Sequence, residues 1–376
     1  MNKITIIGAG IGGLTTAIAL IQKGFEVEIF ENSPAFKKAG SGINLAINAM
    51  QIYKELGVYD DILLQANYTN SMNALNKKLK VLTSAKLQKF EEKYKVKTVA
   101  IHRASLHEIL LNHIGNTKIH LNKKLKSLEQ NNGNVNLVFE DGTSHNATLV
   151  IGADGIHSNV RKSIFKNTEL RDAKQVCWRG ISKARIDKKY KKELNEIWGK
   201  GNRFGFVHIN SEEVYWFGLI NKDKFKSKDE DLQQIFSDYP QTVKNIIAET
   251  DKKEILCNEI WDLKPIDKWY NGNVCLLGDA AHATTPNLGQ GACQAIESAM
   301  ALSICLKEEN NIETAFYKYQ LIRKEKANYV TKTSWLLGKM AQSNNSIICI
   351  LRNVITKLTP KFITEKQSEK ILKLNF

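Results

Sequence analysis

"KITIIGAGIGGLTTAIALIQKGFEVEIFE", residues 3–31, decides the fold. Ile4 to Ile7 form a β-branched run of the kind buried on both faces of a parallel sheet. The run meets Gly8-Ala-Gly10-Ile-Gly-Gly13, after which Leu14, Ala17, Ile18 and Ile21 recur at helical spacing. Gly24 stops that helix, residues 25–30 (FEVEIF) read as a second strand, and Glu31 closes it. Three spaced glycines permit a tight turn, approach of a pyrophosphate to the helix N-terminus, and close packing of helix on sheet. Glu31, 18 residues past Gly13, is placed to accept hydrogen bonds from a ribose 2′-OH. A purely structural turn would not need that acid. The motif specifies a dinucleotide without choosing between NAD and FAD.

Two later strands end in the same manner. "LVIGADGIHSNVRKSIF" (149–165) is an apolar strand, then Ala-Asp154-Gly, then a helix carrying Arg161. Taken alone, Asp154-Gly155 also reads as an ordinary turn pair. "VCLLGD" (274–279) runs out at Asp279 and is followed by a loop with Pro286 and Gly289-Gln-Gly291. The helix after that loop opens on small residues, which leave its first N–H groups open to a ligand.

Composition narrows the setting. With 376 residues and 43% hydrophobic residues, the chain can bury one large α/β unit or two joined domains. Six cysteines form no CxxC or Cys/His cluster, so neither a metal site nor a disulfide scaffold is expected, and a reduced, cytoplasmic setting is. The net charge of +15 comes from scattered lysines and reads as a solvated surface. No nucleic-acid motif accompanies it. The glycines at 8, 10, 12 and 13 would interrupt a signal helix, and no run of about 18 apolar residues spans a membrane.

The order GxGxxG, DG, GD resembles the class A flavoprotein monooxygenases, the single-component aromatic hydroxylases with the para-hydroxybenzoate hydroxylase fold. The resemblance runs nearly end to end. "GSGINLAINAMQIYKELG" (40–57), "HRASLHEIL" (102–110), "CWRGI" (177–181) and "WGKGNRFGFVHINSEEVYWFGL" (198–219) match further segments of that family. Urate hydroxylases, salicylate-type hydroxylases and zeaxanthin epoxidase-like enzymes belong to it. The resemblance implies a Rossmann-like α/β FAD-binding domain with an inserted β-sheet substrate domain and a C-terminal helical tail. The expected boundaries are 1–70, 96–172 and 258–330 for FAD, 71–95 and 173–257 for substrate, and 331–376 for the tail. That tail is expected to pack on the body rather than on a membrane surface, although its lysines and arginines leave a weak peripheral membrane contact open, and the chain is expected to be a monomer or homodimer.

The resemblance also assigns cofactor residues. Gly8, Gly10 and Gly13 are expected at the pyrophosphate and Glu31 at the adenosine ribose. Leu125 falls where the family packs backbone on the adenine. Arg103 is expected at the ribityl or phosphate portion, Asp154 at the pyrophosphate region, and Asp279 at the ribityl chain. Pro286, Gly289, Gln290, Gly291 and Ala292 would present backbone to the pyrimidine side of the flavin, with Gly42 in the segment beside it. Asn32 stands where the family often has a basic residue, and Ile47 where it often has proline. The implied reaction uses NADH or NADPH to reduce FAD, and O2 to form a C4a-hydroperoxide that oxygenates a small aromatic or conjugated substrate. No second GxGxxG occurs, which fits a nicotinamide cofactor that docks only transiently. A dehydrogenase, reductase or NAD(P)H oxidase on the same scaffold remains an alternative.

Substrate contacts are expected from the roof sheet. Arg203 and Tyr215 lie on strands joined by a polar turn at Asn210–Glu213, and pairing could bring them together over one face. Gly205 would leave room there for a flat ring. Arg179 is a third choice, and both arginines also suit a scaffold role. His282 is expected to pack locally.

Overall fold

The computed structural model describes residues 3–36 and 41–376; Gly40, the first residue of the 40–57 segment, lies outside them. The six-stranded central sheet runs Tyr270–Asn271, Val274–Leu276, Val150–Gly152, Lys3–Ile7, Glu26–Phe30, Lys118–His120. Its neighbours are parallel except for the hairpin at the Tyr270 edge. The three motif strands are therefore adjacent at its centre, and their C-terminal ends open onto one crevice, the ligand position of such sheets. Backbone hydrogen bonds continue past those ends: Ala153 N donates to Ile7 O (2.8 Å), and Leu277 N to Gly152 O (2.9 Å). Helix Ile11–Gln22 follows the glycine turn and buries Leu14, Ala17 and Ile18 as their spacing requires.

A second, seven-stranded sheet is assembled from strands far apart in sequence. Its order is Leu256–Leu263, Leu170–Ser182, Val214–Asn221, Asn202–His208, Glu193–Trp198, Ser71–Asn76, Val81–Lys86. Period-two alternation gives it two different faces. Trp178, Phe204, Phe206 and Trp216 point one way, into a core closed by Phe236, Val243 and Ile246. The register puts Arg179, Tyr215, Phe217, Arg203, Glu196, Met72 and Ala74 on the other face. That face looks at the dinucleotide crevice: Arg203 reaches Asn287 (2.8 Å), and Tyr215 packs against Gly42. Strands Leu170–Ser182 and Leu256–Leu263 run across the expected junctions at 172/173 and 257/258, so continuous strands, not linkers, join the lobes.

The helix Ile312–Ala341 passes through the expected start of the tail at 331. Two further helices follow, Ser346–Leu358 and Lys361–Leu372. The second packs as expected: Leu372 enters the main core, and its carbonyl accepts from Gln51 Nε2 (3.1 Å). The first does not bury its apolar side.

Candidate functional site

The glycine turn explains itself atom by atom. Gly8 has φ +105°, and a Cβ there would lie 2.5 Å from Ala153 O; a Cβ on Gly13 would lie 1.9 Å from Gly8 O. Both glycines are required by the protein's own packing. Gly10 is different, since a Cβ there would meet no protein atom within 4 Å. It borders a cleft of about 670 Å³ lined by Glu31, Asn32, Leu125, Asp154 and Gly155. Glu31 holds the turn in place by accepting from Ala9 N (2.7 Å) and Ser33 N (2.8 Å). A neighbouring hollow of about 270 Å³ is lined by Gly10, Glu31, Arg103 and His107.

The DG and GD motifs are stapled together. Asp154 Oδ2 accepts from Asn159 N (2.7 Å) and Val160 N (3.1 Å), so it caps the next helix as a turn residue would. Its other oxygen is buried without a partner. Arg161, 1% exposed, donates to Ile156 O (2.6 Å) and Ala280 O (3.0 Å), joining the two loops. Asp279 is exposed to solvent yet densely surrounded by protein. That enclosure pushes its carboxyl pKa up, against the opposing pull of Arg103 and Arg161. Asn159 Nδ2 donates to the backbone carbonyl of Leu125 (2.7 Å) and so fixes that wall.

Beyond Asp279, Pro286–Leu288 forms one 3₁₀ turn and Gly289 adopts φ +61°. The helix Gly291–Glu308 then starts with no side-chain cap and no acid in its first turn. Helix Ile11–Gln22 begins the same way. Two helix N-termini thus leave their first N–H groups to the crevice. An orphaned carboxylate oxygen, two uncapped helices and a glycine with open space in front of it fit a bound dinucleotide.

The roof corrects one expectation. Tyr215 pairs directly with Val207 and Arg203 with Leu219, so the two share a face but stand four residues apart along it. Gly205 does not leave space for a ligand ring, because the Phe217 ring occupies it: a Cβ would lie 2.1 Å from Phe217 Cζ. Arg203 is 2% exposed, and its donors go to Glu196 (2.8 Å), Gln342 (2.8 Å), Asn287 (2.8 Å) and Gln175 (3.2 Å). Tyr215 instead neighbours Arg179 diagonally across the adjoining strand. Burial pushes its phenol pKa up, with Arg179 and Arg103 pulling the other way. Arg179 donates to Asn258 Oδ1 (2.6 Å) and keeps a buried Nε unpartnered.

Sequence reading missed three groups. Glu196 pairs with Arg203 and lines a cavity of about 240 Å³ between the roof and the Asn287–Gln290 turn. Asn48 donates to Gln290 Oε1 (3.0 Å) and Glu297 Oε1 (2.6 Å), tying the Pro286–Ala292 loop to a buried charge cluster. In that cluster Glu297, fully buried, takes both Arg323 and Lys326. His282, buried against Trp269 and bonded to Ser298 Oγ (2.9 Å), packs locally as expected.

Crevice, uncapped helices and sheet roof together suit a dinucleotide-binding protein with a second cavity beneath its roof. The sequence pattern of the FAD binding domain family matches residues 1–332. The aurachin C monooxygenase/isomerase of Stigmatella aurantiaca is 32% identical over 361 residues, 94% of each chain. The 2-heptyl-3-hydroxy-4(1H)-quinolone synthase of Pseudomonas aeruginosa is 28% identical over 365 residues, 95% of this chain and 94% of that one. Among solved structures, HpxO of Klebsiella pneumoniae with FAD and uric acid superposes with a TM-score of 0.90 at 25% identity, covering 99% of this chain and 97% of that one. The chain belongs to the FAD binding domain family and is an FAD-dependent monooxygenase.

Proposed function

We propose that the chain inserts one oxygen atom from O2 into an apolar, alkyl-bearing heteroaromatic substrate, with NADH or NADPH as electron donor. One observation carries the substrate class. The cavity of about 240 Å³ under the roof has largely aliphatic walls, among them Met72, Leu194, Leu288, Leu337 and Ile371. Arg203, the cation that would suit an acidic substrate, has its donors committed to the protein. The quinolone synthase among the relatives makes, by its name, a heteroaromatic ring bearing a heptyl chain, which supports this reading.

In this proposal Gly8, Gly10, Gly13 and the N-terminus of helix Ile11–Gln22 hold the FAD pyrophosphate, with Asp154 beside them. Glu31 holds the adenosine ribose, Leu125 and Asn32 border the adenine, and Asp279 and Arg103 hold the ribityl–phosphate portion. Gly42 and the loop from Pro286 through Gly289, Gln290, Gly291 and Ala292 receive the isoalloxazine. FAD, once reduced, supplies the oxygen activation. The protein excludes water through the aliphatic walls and orients the acceptor carbon. Tyr215, whose phenol pKa is pushed up by its surroundings and which stays protonated at neutral pH, donates a hydrogen bond. Glu196, fixed by Arg203, accepts one from a ring N–H or O–H and raises the ring's nucleophilicity.

The test is NAD(P)H oxidation by FAD-loaded protein with 2-alkyl-4-quinolones, phenolic acids or urate, with product mass and peroxide both read. Stimulation by the alkylquinolones, with product one oxygen heavier, is expected. Stimulation by urate or phenolic acids alone would reject the substrate class. An equal rate with every compound and full peroxide yield would make the chain an oxidase.

A further inference from the structure

The helix Ser346–Leu358 is fastened to the molecule by its polar side. Asn345 caps it, accepting from Ile347 N (2.9 Å) and Ile348 N (3.2 Å). Arg352, 3% exposed, donates to Gly199 O (3.0 Å) and stacks 5.3 Å from the Trp198 ring centroid. The opposite side consists of Ile347, Ile350, Leu351, Val354, Ile355 and Leu358, at i, i+3, i+4, i+7, i+8 and i+11. These six are 47–72% exposed, and Phe362 continues the stripe beyond Pro360 at 68%. A helix that buries its arginine and exposes an unbroken aliphatic stripe reverses the arrangement of an ordinary surface helix. A contiguous patch of this kind marks an interaction surface.

Charge selects the cover. The helix carries Arg352 and Lys357 and no acid. Lys78 and Lys200 line the hollow beside Cys349, Arg352 and Asn353. Lys78, Lys200 and Lys357 are exposed and enter no ion pair among the described residues. The nearest acids of the following helix, Glu365 and Glu369, are already paired with Lys89 and Lys93. A second copy would bring the same positive rim, on a chain of net charge +15, against this one. An anionic bilayer brings the opposite charge together with an apolar interior. We infer that Ser346–Leu358 and Phe362 form an interfacial docking element for anionic membranes. The helix lies flat, about 20 Å long, with its aliphatic stripe among the acyl chains and the lysines at the headgroups. The inference is independent of the substrate proposal.

Full-length, FAD-loaded protein is floated with vesicles of phosphatidylcholine alone and of equimolar phosphatidylcholine and phosphatidylglycerol. Binding to the anionic vesicles is expected, weakening as salt rises. The double variant Ile350→Glu/Ile355→Glu changes only exposed positions and should keep its flavin spectrum while binding the anionic vesicles at least roughly tenfold less. Failure of the parent chain to bind anionic vesicles overturns the inference. So does binding that the double variant leaves intact, because the site then lies elsewhere. A dimer that the double variant converts to monomer, without vesicle binding, assigns the stripe to a second copy and overturns it too.

Discussion

Arg203 joins three parts of the molecule: the roof through Glu196 and Gln175, the Pro286–Ala292 loop through Asn287, and the end of the long helix through Gln342. Arg203→Ala leaves these partners buried or half-buried without a donor, and should cost about 2–3 kcal/mol of stability. A lower Tm should accompany the loss of activity. Tyr215→Phe removes one hydroxyl from the same face and should leave Tm and FAD content unchanged. It should raise the share of NAD(P)H oxidation that ends as peroxide, because a misoriented ring loses the race to water. Unchanged Tm in Arg203→Ala would return that residue to substrate binding. His282 offers a separate test. Burial, helped by the Arg323 charge, pushes its pKa down to about 3, below the unfolded value of about 6.5. Between those pH values the unfolded chain binds a proton that the folded chain refuses. Stability therefore falls as pH drops through that window, by up to about 1.4 kcal/mol per pH unit from this residue. In His282→Gln that slope should vanish, as denaturant titrations between pH 4 and 7 would reveal.

The glycine turn shows how an element divides its residues between fold and ligand. Gly13→Ala would press a methyl onto Gly8 O, 1.9 Å away, and should prevent folding of the whole lobe. Gly10→Ala meets no protein atom, so the apoprotein should melt as the parent does. Its methyl would enter the space assigned to the pyrophosphate, and FAD affinity should fall by roughly ten- to a hundredfold in fluorescence titration. Equal FAD affinity would move the pyrophosphate elsewhere. This element was legible in the sequence because every requirement is local: a β-branched strand, spaced glycines, helical periodicity and a terminal acid. The roof was legible only in part. Alternation and the Asn210–Glu213 turn gave the pairing of its two strands, but a polar turn does not reveal which side chains are already spoken for. Glu196, Gln175 and Gln342 reach Arg203 from three separate segments, and nothing near residue 203 announces them. Likewise Glu297, Arg323 and Lys326 sit in helical stretches where a charge ordinarily faces water, and only tertiary packing turns them inward.

At the scale of the whole molecule, the cavity under the roof is closed by segments that share no sequence neighbourhood. Met72 and Leu194 come from the sheet, Asn287 and Gln290 from the Pro286–Ala292 loop, and Ser368, Ile371 and Leu372 from the last helix. The cleft and hollow around Gly10 and Glu31, proposed above for FAD, draw on none of the last helix. In the proposed reading the last helix would enclose substrate without holding FAD, while the Pro286–Ala292 loop would serve both. A chain ending after Pro360 loses the third wall, together with the Leu372 carbonyl that binds Gln51 and the Lys373 carbonyl that binds Lys326 (2.7 Å). It should still bind FAD, with a visible spectrum close to the parent's, at a stability cost of about 2–4 kcal/mol for the lost core contact. Product formed per NAD(P)H consumed should drop roughly tenfold, the difference emerging as peroxide, because water reaches the reacting centre. Ile371→Ala, a milder opening of the same wall, should shift that ratio in the same direction with little change in Tm. If both variants keep the parent's product yield, the substrate does not reach this wall of the cavity and must be sought nearer Arg179.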